Sequence, residues 1–266
     1  MSGFGALAAR YDGFIVDLWG VVHNGVRPYP GVLDCLGRLR AAGKPVVFLS
    51  NAPRRAASVG VGLAAMGIGA EFYSGIMSSG EAVHVALRDR LGEFAALGRR
   101  FYHLGPERDR DIYAGLELEQ VDSPAAAAFL LNTGPDDLLG AQDPELYAPV
   151  LAASLAAGLP MVCANPDLEV VRDGVRIICA GLLAEQYGQA GGRVILRGKP
   201  DPAIYAPTLA LLGTPRARTL AVGDSLRTDI AGARAAGIDA CWVLSGIDAR
   251  AEVPPGVVAV LDGFAW

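Results

Sequence analysis

Short apolar runs that end on a polar residue, each followed by a loop and then a helical stretch, constrain this chain more than any other feature. The first, Phe14-Ile15-Val16-Asp17-Leu18-Trp19-Gly20-Val21-Val22, is β-prone and broken by a single acid, the pattern of a buried strand that ends in a polar residue. After a loop rich in Gly and Pro, Leu33, Leu36 and Leu39 recur at helical spacing over 32–42, and Gly43 stops the helix. A strand at 45–49 leads into Ser50-Asn51-Ala52-Pro53, and a helix runs from Arg54 and Arg55 to about Met66. The same rhythm returns from Arg218 to Ser225, Ala231 to Ala236 and Ala240 to Leu244. Alternating strands and helices predict a parallel sheet with helices on its faces, and such sheets bind ligands beyond the carboxyl ends of their strands. Asp17 and Ser50 both occupy such ends.

Residues 75–196 carry signals of their own: a capping box at Ser78 and Glu81, an apolar strand at 126–131, a helix near 149–157 and a strand at 160–164. They read as a second α/β layer inserted into the first, dividing the chain into a core of 1–74 and 197–266 and an α/β cap of 75–196. At 266 residues, 52% hydrophobic and 19% charged, the chain has material for both cores. A formal net charge of −5 with no basic block opposes a non-specific hold on nucleic acid or anionic lipid, so neither is expected as a partner. Cys35, Cys163, Cys179 and Cys241 form no Cys-x-x-Cys pair and read as buried thiols in a reducing compartment. The first 17 residues lack a basic start followed by an apolar run, and the longest apolar segment, 151–164, is cut by Gly158 and Pro160. The expectation is a cytoplasmic protein; a homodimer is allowed, but oligomeric state leaves no readable trace.

Four polar clusters stand at predicted strand ends: Asp17 with Trp19, Ser50 with Asn51, Gly198-Lys199-Pro200, and Gly223-Asp224-Ser225 with Asp229. Asp17 and Asp224 are suited to share a hard divalent cation, which as magnesium takes few protein ligands, several waters and a phosphate oxygen. Ser50, neighbouring backbone N–H groups and the Lys199 charge suit the remaining phosphate oxygens. One carboxylate is then placed to attack phosphorus and form an aspartyl-phosphate. Singly, each cluster is an ordinary loop or helix cap; their joint order carries the chemistry. Gly60-Val61-Gly62 lies inside a helix rather than after a strand, which excludes a dinucleotide loop, and no nucleoside-triphosphate loop motif occurs.

In that order, Asp17-Leu18-Trp19-Gly20-Val21, Phe48-Leu49-Ser50-Asn51, Gly198-Lys199-Pro200 and Gly223-Asp224-Ser225-Leu226-Arg227-Thr228-Asp229 resemble the four motifs of the haloacid dehalogenase-like hydrolase superfamily. The chain is most similar to its class IIA branch of p-nitrophenyl phosphatases and N-acetylglucosamine-phosphate phosphatases. Pro30-Gly31, Gly43-Lys44-Pro45 and Asn165-Pro166-Asp167 add to the likeness, which covers nearly the whole chain. The resemblance implies a Rossmann-like parallel-sheet core with an inserted α/β cap, and a small phosphorylated metabolite as substrate. It implies Asp17 as nucleophile, and magnesium held by Asp17, the Trp19 backbone carbonyl and Asp224, with Asp229 orienting the ion's water shell. Ser50 and the Asn51 amide would bind phosphate, and Lys199 would steady both nucleophile and phosphate. Asp167, in the cap, is the first candidate for specificity, and Arg54 a candidate for steering anions.

One position departs from the family pattern. Its phosphatases carry a second aspartate two residues after the nucleophile, which protonates the leaving oxygen and then activates water; here that position is Trp19. A missing general acid costs about a hundred- to ten-thousandfold in rate. The expected activity is therefore magnesium-dependent hydrolysis of small phosphate esters through Asp17, slow or confined to good leaving groups. The alternatives are a binder or sensor of phosphorylated metabolites without turnover and, third, a hydrolytic dehalogenase. His23, six residues after Asp17, is the candidate replacement proton donor.

Overall fold

The apolar runs of this chain pair in parallel, as strands buried on both faces do. The computed structural model describes residues 3–245 and 252–266. Its strands are β1 (Gly13–Val16), β2 (Val46–Ser50), β3 (Gly75–Ser78), β4 (Arg100–Leu104), β5 (Glu119–Gln120), β6 (Phe129–Asn132), β7 (Met161–Cys163), β8 (Glu169–Arg172), β9 (Val175–Ile178), β10 (Val194–Leu196), β11 (Thr219–Gly223), β12 (Asp239–Val243) and β13 (Val257–Leu261). A six-stranded parallel sheet runs β13-β12-β11-β1-β2-β3, a Rossmann-like core. Because side chains alternate along a strand, Phe14, Val16 and Phe48 join one apolar cluster while Ile15, Val47 and Leu49 join another on the opposite face.

The register sets the site. Val16 lies opposite Val222 on one side and Phe48 on the other, so β11, β1 and β2 end level with one another. Asp17 and Asp224 directly follow their strands and Ser50 closes its own, which brings all three to one edge. The run read as a strand through Val22 stops at Val16. Beyond Asp17 the chain turns at Gly20 (φ +79°), and the Val22 and His23 N–H groups both donate to the Leu18 carbonyl at 2.9 and 3.0 Å. Val21 and Val22 are buried inside this turn, so their apolarity marks burial and not extended backbone.

A second parallel sheet, β10-β7-β6-β4-β5, has apolar residues packed on both faces, and an antiparallel hairpin, β8–β9, projects from it. Asp173 and Gly174 both have positive φ (+46° and +82°), the backbone of a tight primed hairpin turn. The chain passes between the layers later than the sequence suggests. β3 pairs with β2 and so belongs to the core sheet, moving the first boundary from residue 75 to the step between Ser78 and Ser79. The helix Ser79–Arg88 then buries Val83, Ala86 and Leu87 in the second layer. Half of the capping box forms: Ser78 Oγ accepts from the Glu81 N–H at 2.9 Å, while the Glu81 carboxylate turns away to Arg55 and the Ala56 N–H. Among the described residues no helix is long and apolar enough to cross a membrane.

Candidate active site

At the carboxyl edge of the core sheet, Lys199 Nζ donates to Asp17 Oδ1 and to Asp229 Oδ1, each at 2.6 Å. Asp17, Asp224 and Asp229 each offer one carboxylate oxygen within 4.8 Å of the others, and all four side chains are buried. Asp229 stands on a wide π-type turn, Leu226–Ile230, and its Oδ2 accepts from the Ser225 N–H at 3.1 Å. Trp242 Nε1 donates to the Asp224 carbonyl at 2.9 Å, fixing the strand end that carries this acid. Two glycines permit the crowding. A Cβ on Gly20 would overlap the Asp224 carboxylate, and one on Gly223 would overlap Asp229. These glycines belong to the quoted motifs, but their reason is three-dimensional.

Three carboxylates against one ammonium leave an excess of two negative charges in a buried space. Burial, opposed by Lys199 and reinforced by Asp229 and Asp224, holds the Asp17 carboxyl well above the usual carboxylate range. Burial alone would lower Lys199, but Asp17, Asp229 and Asp167 outweigh it and hold the ammonium well above its ordinary value. The donor set is all oxygen and its charge deficit equals that of one divalent cation, so these residues fit a hard metal ion.

The other candidates lie around this cluster. Asn51 Nδ2 donates to Asp167 Oδ1 at 2.8 Å and to the Lys199 carbonyl at 3.1 Å, while its Oδ1 accepts from the Lys199 N–H at 2.8 Å. The Asn51 side chain thus ties the core sheet to the loop after β7, and Asp167, whose carboxyl is raised by burial, reaches the site through it. Arg227 reinforces the tie by donating to the Pro166 carbonyl. A cavity of about 560 Å³ opens beside Asp17, Lys199, Asp224, Asp229 and Asp167. Ser50 and Arg54 line a second cavity of about 400 Å³, and Trp19 lines both.

His23 also faces the second cavity, but not as a proton donor poised near neutrality. Its Nδ1 accepts from the Gly25 N–H at 3.0 Å, and burial pushes the imidazole down to about 4, so the ring is neutral at pH 7 and holds its own loop. Sequence reasoning missed another polar cluster there. Asp109 is 3% exposed, and burial, opposed by Arg54, Arg108 and Thr133, pushes its carboxyl up to about 6. Thr133 Oγ1 in turn lies 2.9 Å from His103 Nε2. The local signal was the polar Gly105-Pro106-Glu107-Arg108-Asp109 stretch after β4, a strand end like those of the core.

Residues 14–119 match the family of haloacid dehalogenase-like hydrolases, and residues 196–265 match the HAD-hydrolase-like family. Human chronophin is 31% identical over 250 residues, spanning 91% of this chain and 84% of that protein. The chain belongs to the haloacid dehalogenase-like hydrolases. A member of this family from Brucella suis 1330, solved by crystallography, matches at 31% identity with a TM-score of 0.89 over 100% of both chains. The glycerol phosphate phosphatase of Mycobacterium tuberculosis, solved in complex with magnesium, matches at 26% identity and a TM-score of 0.69, covering 91% of this chain and 70% of its own. Relatives named as phosphatases include the D-glycerol 3-phosphate phosphatase of Mycobacterium tuberculosis and the ribonucleotide monophosphatase NagD of Escherichia coli, and the protein is an enzyme of this hydrolase family.

Proposed function

We propose that the protein hydrolyses small phosphate monoesters with magnesium, through a phosphoryl-enzyme formed on Asp17. The observation that carries this reading is the buried cluster of Asp17, Asp224 and Asp229 around Lys199, whose two unbalanced negative charges suit one divalent cation. Asp17, Asp224 and the Trp19 backbone carbonyl would hold the ion, which when bound would supply positive charge to the attacking carboxylate and to the phosphate. An Asp17 oxygen attacks phosphorus and the ester P–O bond breaks, releasing the alkoxide; water then attacks the aspartyl-phosphate, breaking the Asp17–phosphorus bond and freeing phosphate. Lys199, positioned by Asp229, donates to Asp17 and to a phosphate oxygen, and Ser50 with the Asn51 backbone amide holds the others. Asp229 also orients water around the ion. Residues 79–196 act as the cap that closes over the substrate, with Asp167 coupling cap position to Asn51. The four free, buried cysteines fit a reducing, cytoplasmic setting.

Trp19 donates no proton to a leaving oxygen, so the alkoxide takes its proton from solvent and the rate depends steeply on leaving-group acidity. Phosphate release from aryl and alkyl phosphates of graded leaving-group pKa, with magnesium and with chelator, tests the reading. The expected results are a metal-dependent rate that falls with leaving-group pKa, loss of turnover in Asp17→Asn, and a gain of at least about tenfold on alkyl phosphates in Trp19→Asp. Turnover that survives Asp17→Asn would refute the phosphoryl-enzyme.

A further inference from the structure

The strand beside β11 ends on two neutral donors that hold the backbone bearing the metal's candidate ligands. Trp242 lies opposite Gly223 in the register of β12 with β11, and its Nε1 donates to the Asp224 carbonyl at 2.9 Å. Ser245, two residues past the end of β12, donates from Oγ to the Gly20 carbonyl at 2.6 Å. One strand end thus grips both the residue that follows β11 and the turn that follows Asp17. The two are close neighbours: a Cβ on Gly20 would overlap the Asp224 carboxylate, and Gly20, Asp224 and Ser245 line the same cavity.

The turn matters because Trp19 has only its backbone to offer a metal. A peptide unit is planar, and in the trans form its C=O and N–H point opposite ways. The Gly20 N–H donates to the His23 carbonyl at 3.1 Å, so the Trp19 carbonyl, in the same peptide unit, faces away from that bond. Ser245 fixes the next peptide unit through the Gly20 carbonyl. Glycine is the least restrained residue in the backbone, and hydrogen bonds on both of its peptides supply the restraint that a side chain does not.

Electrostatics explains why the donors are neutral. Asp17, Asp224 and Asp229 bring carboxylate oxygens within 4.8 Å of one another and repel until a cation enters. A lysine or arginine could hold the same carbonyls, but it would cancel charge that the ion needs. An indole N–H and a hydroxyl hold position and leave the charge in place. Trp242 is 1% exposed within the apolar cluster on its face of the sheet, so its ring is fixed by packing. Support of this kind lowers the ordering that binding must otherwise impose.

We propose that Trp242 and Ser245 are positioning residues for the metal site: they keep the Asp224 and Trp19 segments in place before the ion arrives, and so set magnesium affinity and not the chemistry at Asp17. The assignment rests on the magnesium-dependent reading above. The test is magnesium binding to the full-length protein by isothermal titration calorimetry, with kcat on p-nitrophenyl phosphate measured over a range of magnesium concentrations and thermal unfolding measured in chelator. Trp242→Phe keeps a ring and removes the N–H, and Ser245→Ala removes the hydroxyl. Each is expected to raise the Kd for magnesium about tenfold or more, with kcat at saturating magnesium within about twofold of wild type. Ser245→Thr, which keeps the hydroxyl, should restore the affinity. Cys241→Ala, in the cluster on the opposite face of the same strand, should lower the unfolding temperature and leave the Kd in place. An unchanged Kd in either Trp242→Phe or Ser245→Ala, a loss of kcat that excess magnesium does not recover, or an equal loss of affinity in Cys241→Ala would overturn the assignment. A wild type that binds no magnesium would instead strike the metal reading itself, and the assignment with it.

Discussion

Asp109 gives a prediction about stability whose size follows from its surroundings. Burial raises its carboxyl from 3.8 in an open chain to about 6 in the folded protein. The folded state therefore holds the proton more tightly than the unfolded state, and ionising the group favours unfolding. Below pH 3.8 the acid is protonated in both states and the cost vanishes; above about pH 6 it is ionised in both and the cost is complete, at roughly 3 kcal/mol. Asp109→Asn removes the charge and keeps the shape of the side chain. Urea denaturation followed by circular dichroism at pH 4 to 8 should show the variant gaining on wild type between pH 4 and 6 and holding an advantage of up to about 3 kcal/mol above that. A difference that does not vary with pH, or a variant less stable than wild type at pH 8, would refute the reasoning. Set against a typical stability of about 5–15 kcal/mol, such a cost is large for one side chain.

His103 works in the opposite direction. Burial, helped by Arg110 and opposed by Glu107 and Asp136, pushes its imidazole down to about 4, so its contribution is full above pH 6.5 and lost as pH falls through 4. Relative to His103→Gln, wild type should lose up to about 3 kcal/mol across that window in the same denaturation series, and parallel curves would contradict the neutral buried imidazole. Gly20→Ala should lower both stability and phosphate release, because its Cβ meets the Asp224 carboxylate and φ is +79°; a denaturation midpoint equal to wild type would show that the carboxylate moves aside at no cost. Gly37, inside the helix Val32–Ala41 with nothing within 4 Å of a built Cβ, should accept alanine with a gain of about 1 kcal/mol, seen as a rise of roughly 2–4 °C in thermal unfolding. No rise would mean that the helix is already fixed by its packing.

The parts of this molecule that sequence patterning revealed are those set by short-range physics. Phe14, Ile15 and Val16 are buried on alternate faces of one sheet and so form a continuous apolar run, and the acid that ends the run is visible because it interrupts it. Asp224 and Ser50 were legible for the same reason. β3 was less so: only Ile76 and Met77 bring large apolar side chains to its four residues, and its place is fixed by pairing with β2 across the helix and turns of residues 51–74. The β8–β9 hairpin carried a local signal, Asp173-Gly174 between Val170-Val171 and Val175, that strand-and-helix rhythm passes over. The contacts of Asp109 left no such trace. Its partners Arg54 and Thr133 come from the loop after β2 and the end of β6, and nothing in the spacing of residues 54, 109 and 133 announces that folding will gather them.

Trp19 and Gly25 show how a substitution at a catalytic position is accommodated by the local chain. An indole is far larger than the carboxylate the family places there, and the turn that carries it is narrow, because the Leu18 carbonyl accepts from both the Val22 and His23 N–H groups. The ring therefore lies across the mouth of the turn, where any side chain at position 25 would strike it. Gly25 removes that obstacle, and its φ of +87° turns the backbone in a way other residues rarely adopt. Together the two residues put an indole that lines two cavities where the family places a proton donor. The metal-binding role assigned to position 19 needs only its backbone carbonyl, which survives the exchange. The acid function does not survive it, so the exchange at position 19 separates the metal-binding and proton-donating roles that the family joins in one residue.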